Sequence, residues 1–112
     1  MAPSRIAKVN SFLKVEISQI IERDFRDRRS GLITVTRVDT SADMGQAKVW
    51  ISVLASQIPP HKILQSLRKK AGMIHREVWH KMSAKKVPLI DFRLDENAAY
   101  VEKIEEILKE LK

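Results

Sequence analysis

The chain is expected to fold as an α+β protein, with one three-stranded sheet packed by helices. Three observations predict this. Residues 32–38 and 46–55 are two runs rich in β-branched side chains, separated by a short turn. Apolar residues recur at three- and four-residue spacing on both sides of that pair. A third strand-like run follows Val87-Pro88. The expected order is α-β-β-α-α(kinked)-β-α, over residues 1–112 as a single domain.

The first helix begins after Ser4, whose hydroxyl suits an N-cap. Its stripe is Ile6, Val9, Leu13, Ile17, Ile20 and Ile21, and it ends near Arg23. The polar stretch that follows closes at Gly31. Leu32 to Val38 reads as a strand, and Asp39 to Gly45 supplies turn formers. In the second strand Ala47, Val49, Ile51, Val53 and Ala55 share one face, and Lys48, Trp50, Ser52 and Leu54 the other. The two strands pair as an antiparallel hairpin.

Pro59-Pro60 then breaks the chain, and Pro60 fits the first turn of a new helix. Ile63, Leu64 and Leu67 start its stripe, which Ile74, Val78 and Met82 resume after Ala71-Gly72. Glycine inside a helix costs about 1 kcal/mol relative to alanine. Its presence predicts a kink or a close backbone approach; a small residue packed against a neighbour is the alternative. The third strand runs from about Leu89 to Leu94, because Pro88 fits only a strand's beginning or edge. Asp95, Glu96 and Asn97 offer caps for a last helix, with the stripe Val101, Ile104, Ile107, Leu108 and Leu111.

With 44% apolar residues the chain is able to build a compact core. It has no cysteine, which excludes disulfides and thiolate metal sites. No stretch approaches the roughly 20 apolar residues of a membrane span, and no signal peptide is visible. A cytoplasmic protein with no membrane partner is expected. The net charge is +7, and residues 60–86 alone hold eight basic side chains against one acid, Glu77. Those eight are Lys62, Arg68, Lys69, Lys70, Arg76, Lys81, Lys85 and Lys86. The helical stripe must face the sheet, so most of them must face solvent, where they suit a phosphate-rich partner. A solvated face kept for solubility competes with this explanation.

Other constellations carry little chemistry. His75 and His80 lie five apart, roughly 140° around a helix, so they share no face and no metal site is expected. Asp39 and Asp43 suit a turn, and Asp91 and Asp95 flank the last strand. No nucleophile is paired with a base and no glycine-rich phosphate loop is present, so no enzyme activity and no cofactor are expected. Trp79, beside Val78, is expected to lie partly in the core. Trp50, on the polar side of its strand, is expected to pack beneath a helix or a basic stem.

Several segments together resemble the ribosome-binding factor A family. They are the hairpin from Thr34 to Leu54, with Ser41 and Asp43 in its turn and Ala47 and Val49 opening its second strand; Val87-Pro88 with Ile90, Phe92 and Asp95; Gly72-Met73-Ile74 followed by Arg76; and Arg5, Lys8 and Val9 at the start of the first helix. The resemblance spans about residues 4–108. It implies a KH-like fold of the second type, whose Gly-x-x-Gly loop is replaced by a helix kink carrying Ala-x-Gly. Lys70, Ala71 and Gly72 match that kink, with lysine in place of the first alanine. It further implies a bacterial-type factor that binds the immature 30S subunit and its 16S rRNA, assists 5′-end processing and is associated with growth in the cold; ribosomal proteins of the subunit are candidate further partners. The RNA-binding set is then expected to be Arg5, Lys8, Arg68, Lys69, Lys70, Gly72, Arg76, Lys81, Lys85 and Lys86. A monomer is expected, because no coiled coil or exposed apolar stripe calls for a dimer. Alternatives are a generic KH-like single-stranded RNA-binding module, a protein-interaction adaptor using the acidic last helix, and a small enzyme acting on a phosphate substrate.

Overall fold

The computed structural model of the protein describes residues 4–25, 27–82 and 86–96, together with Ile107 and Glu110. Helix α1 spans Arg5–Asp24, and the Ser4 Oγ accepts a hydrogen bond from the Ala7 amide at 3.1 Å, as an N-cap should. Its buried residues are Val9, Leu13, Ile17, Ile20 and Ile21. A short 3₁₀ turn, Arg28–Ser30, leads to Gly31, which adopts a positive φ of 68°. A Cβ there would overlap the Leu54 carbonyl oxygen, so the position demands glycine on two counts.

Strand β1, Leu32–Thr40, pairs antiparallel with β2, Gln46–Leu54. Strand β3, Leu89–Leu94, lies parallel to β2 on its other side, so β2 is central. The expected strands and their pairing are present. What the sequence did not disclose is a β-bulge between Val35 and Arg37. Thr36 is the extra residue, and its insertion lets both Val35 and Val38 face the core while Arg37 faces outward opposite Trp50.

The hairpin turn is locked by its own side chains. Ser41 Oγ donates to Asp43 Oδ1 at 2.7 Å, the Gly45 amide donates to the same oxygen at 2.9 Å, and the Gln46 amide donates to Ser41 Oγ at 3.0 Å. The first two of these bonds, the Ser41 hydroxyl foremost, hold the Asp43 carboxyl below the usual carboxylate range. Met44 takes a positive φ of 62° and buries its side chain.

Helix α2 spans Pro60–Lys81 as one α-helix. The two segments expected on either side of Ala71-Gly72 are therefore continuous. The cause is visible in the stripe: Ile63, Leu64, Leu67, Ala71, Ile74 and Val78 keep helical phase through the alanine, and burying them outweighs the intrinsic cost of one glycine. Nor does Gly72 mark a close approach. A Cβ built on it would meet nothing within 4 Å.

Both helices bury their stripes in one cluster with Ala47, Val49, Ile51 and Phe92 of the sheet. This two-layer arrangement is the expected KH-like one. The opposite, outer face of the sheet carries Lys48, Trp50, Ser52 and Leu54 from β2; Lys48 is exposed, and Ser52 and Leu54 are buried. The last helix expected from Asp95 onward falls outside the described residues, except that Ile107 and Glu110 are helical and exposed.

Candidate nucleic-acid interface

At 100° per residue, the buried stripe of α2 divides its remaining surface into a ridge and two shoulders. The ridge, opposite the stripe, carries Lys62, Lys69 and Arg76, all exposed. None of the three lies within 4 Å of a described carboxylate, so their charge faces solvent.

The shoulder toward α1 holds Lys70, Met73 and Glu77. Here charge is largely compensated. Arg23 Nη2 sits 2.8 Å from Glu77 Oε1, and Arg23 Nε 2.7 Å from Asp24 Oδ1. Hydrogen bonds from the Arg23 guanidinium hold both carboxyls below their ordinary range and raise the arginine above its own. Lys70 is exposed beside this group and adds a weaker pull on Asp24. Lys81, expected to extend the basic face, instead pairs with Glu16 of α1 at 3.3 Å. It joins two helices, which a face drawn along one helix does not foresee.

The shoulder toward β3 holds Arg68, Gly72, His75 and Trp79. Arg68 Nε donates to the Phe92 carbonyl oxygen at 3.2 Å. His75, as its Nε2–H tautomer, donates to the Val87 carbonyl oxygen at 3.0 Å. Arg68 thus covers a backbone acceptor of the edge strand β3, and His75 one just before that strand. Trp79 departs from expectation. It is 53% exposed rather than partly core, because it lies 100° round the helix from Val78. Its ring packs against His80, with centroids 5.8 Å apart.

The remaining predicted residues lie off α2. Arg5 and Lys8 are exposed on the first turns of α1. Lys86 reaches the hairpin, its Nζ donating to the Asp43 carbonyl oxygen at 3.1 Å. Lys85 lies outside the described residues. Among the described residues no group of three or more His, Asp or Glu could hold a metal, and no helix is long and apolar enough to cross a membrane.

One constellation escaped the sequence. Arg37, Trp50 and Arg93 are register partners across the three strands. The guanidinium carbons lie 5.1 and 6.0 Å from the Trp50 ring centroid. Trp50 thus does pack beneath basic stems. In the adjacent row Lys48 stands between Asp39 and Asp91. Asp39 Oδ2 is 3.0 Å from Arg37 Nε, and Asp91 Oδ2 is 3.1 Å from Arg93 Nε. The alternation of β2 was the available signal; the bulge hid that Arg37 joins the row.

Residues 5–108 match the family model described as Ribosome-binding factor A. The chain belongs to the ribosome-binding factor A family. Two similar proteins named Ribosome-binding factor A agree. That of Clostridium novyi (strain NT) is 38% identical over 113 residues, covering 100% of this chain and 93% of the relative. That of Brevibacillus brevis is 35% identical over 111 residues, covering 99% and 92%. The crystal structure of ribosome-binding factor A from Thermus thermophilus superposes with a TM-score of 0.70 at 19% identity, over 81% of this chain and 97% of that one. A homology model of the ribosome-binding factor A of the same organism, fitted into a cryo-EM map of a complex with the 30S subunit, gives 0.64 at 19% identity, over 75% and 88%. At such identities the superpositions speak for the fold.

Proposed function

We propose that the chain binds the immature 30S subunit through its 16S rRNA and assists maturation, including processing of the 5′ end, by binding and not by catalysis. The observation that carries this reading is the ridge of Lys62, Lys69 and Arg76, uncompensated by any described carboxylate while the acids nearby are occupied by Arg23 and Lys81. Such a ridge neutralises phosphates and releases their counterions. Three phosphate contacts alone give a loss of roughly twenty- to fortyfold in affinity between 50 and 200 mM salt. Family membership supports the choice of polyanion, because a similar protein has been placed in a map of the 30S subunit. The fold is then expected to work as a cytoplasmic monomer of one domain.

Sedimentation tests this. At low salt the protein should comigrate with free small subunits in a sucrose gradient, and high salt should release it. The double variant K69E/R76E should stay at the top. Wild-type protein left at the top at low salt would sink the proposal. Equal affinity for unrelated oligonucleotides and for precursor subunits would point instead to a generic RNA-binding module.

A further inference from the structure

Arg37 and Arg93 stand on the side of the sheet away from α2, so the ridge does not absorb them. Each is fixed twice. Its guanidinium rests against the Trp50 ring, and its Nε edge is engaged by an aspartate two residues away on its own strand. The side chains stay accessible, 61% for Arg37 and 44% for Arg93. An arginine already held in one rotamer loses little entropy on binding, and its planar fork matches two oxygens of a phosphate. Trp50 serves as a platform and not as a donor, for its indole N–H is buried and has no partner among the described residues. A shallow groove of about 260 Å³ runs beside the row, lined in part by Arg37, Lys48 and Trp50.

We propose that this row is a second RNA-backbone surface, on which Arg37 and Arg93 clamp phosphates while α2 holds a different RNA segment on the far side of the molecule. The proposal rests on the RNA-binding reading above and adds to it that the protein bridges two segments. Charge complementarity selects the occupant. Three cations, Arg37, Lys48 and Arg93, meet two carboxylates in the row, each turned to an Nε edge, and the half-buried Asp95 beside them accepts from the Thr36 hydroxyl at 2.8 Å. A strand with regularly spaced anions meets both forks at once. An acidic peptide is the rival occupant.

The two tryptophans make the test direct. In a W79F protein, Trp50 is the only indole. Titration with an RNA hairpin from the 5′ region of 16S rRNA should change its emission. In the same background R37Q/R93Q should raise Kd about tenfold. R37K/R93K keeps the charge but loses the fork, and should recover only part of the affinity. Two differently labelled hairpins should show energy transfer with wild-type protein, and R37Q/R93Q should abolish it. Binding that leaves Trp50 emission unchanged and is indifferent to R37Q/R93Q would overturn the second surface alone. So would displacement of the RNA from the row by polyglutamate at equal charge. No RNA binding by wild-type protein would overturn the parent reading and this one with it.

Discussion

Two residues illustrate how single atoms decide the local backbone. Gly31 combines a positive φ with a Cβ position already occupied by the Leu54 carbonyl oxygen. Gly31→Ala should therefore cost on the order of 1–3 kcal/mol or more in a denaturant titration, because the strain and the overlap act together. A neutral outcome would mean that the β1–β2 junction relaxes freely. Asp43 is the second. Its folded-state value is depressed, so the stability it lends is present above the unfolded carboxylate value of about 4 and is lost as pH falls through the lower, folded one. The melting temperature should drop with acidification below about pH 4. Asp24 and Glu77 contribute in the same direction. Asp43→Asn should lower the midpoint at neutral pH and flatten its acid dependence, read by thermal melts across a pH series.

At the scale of elements, strands and turns were largely legible and the middle of α2 was not. β2 announced itself by strict alternation, β3 by the proline that can only precede it, and the turn by Ser41 and Asp43. Thr36 resembles any other strand residue, so its bulge was invisible; only the demand that both Val35 and Val38 reach the core requires it. In α2 the stripe runs through Ala71 in phase, so one helix spans both segments, a continuity that glycine's low propensity conceals. The basic side chains were legible as a group, but their division was not. Lys81 meets Glu16 and Arg68 meets Phe92 only once the layers are assembled. Gly72 now yields a prediction. With open space around it and helical backbone on both sides, Gly72→Ala should stabilise the protein by up to about 1 kcal/mol, read from the denaturation midpoint. A loss of stability would show that the helix depends on the glycine.

Across the whole molecule, charge is sorted by what remains uncompensated. K69E/R76E should weaken RNA binding steeply and flatten its salt dependence by about two contacts' worth of slope, whereas Lys81→Ala should change that slope much less, because its ammonium is engaged by Glu16. Equal slopes for the two variants would mean that the α1–α2 pair opens on binding. Among the described residues α1 and α2 occupy one side of the sheet and the arginine–tryptophan row the other, two dissimilar sides. The bare spot halfway along α2 has a practical use as well. The chain contains no sulfhydryl of its own, so Gly72→Cys would create a unique attachment point in uncrowded space beside the cationic ridge. A short photoreactive arm anchored there would brand whichever nucleotides come to rest against the helix, and so map the contact from the RNA's side.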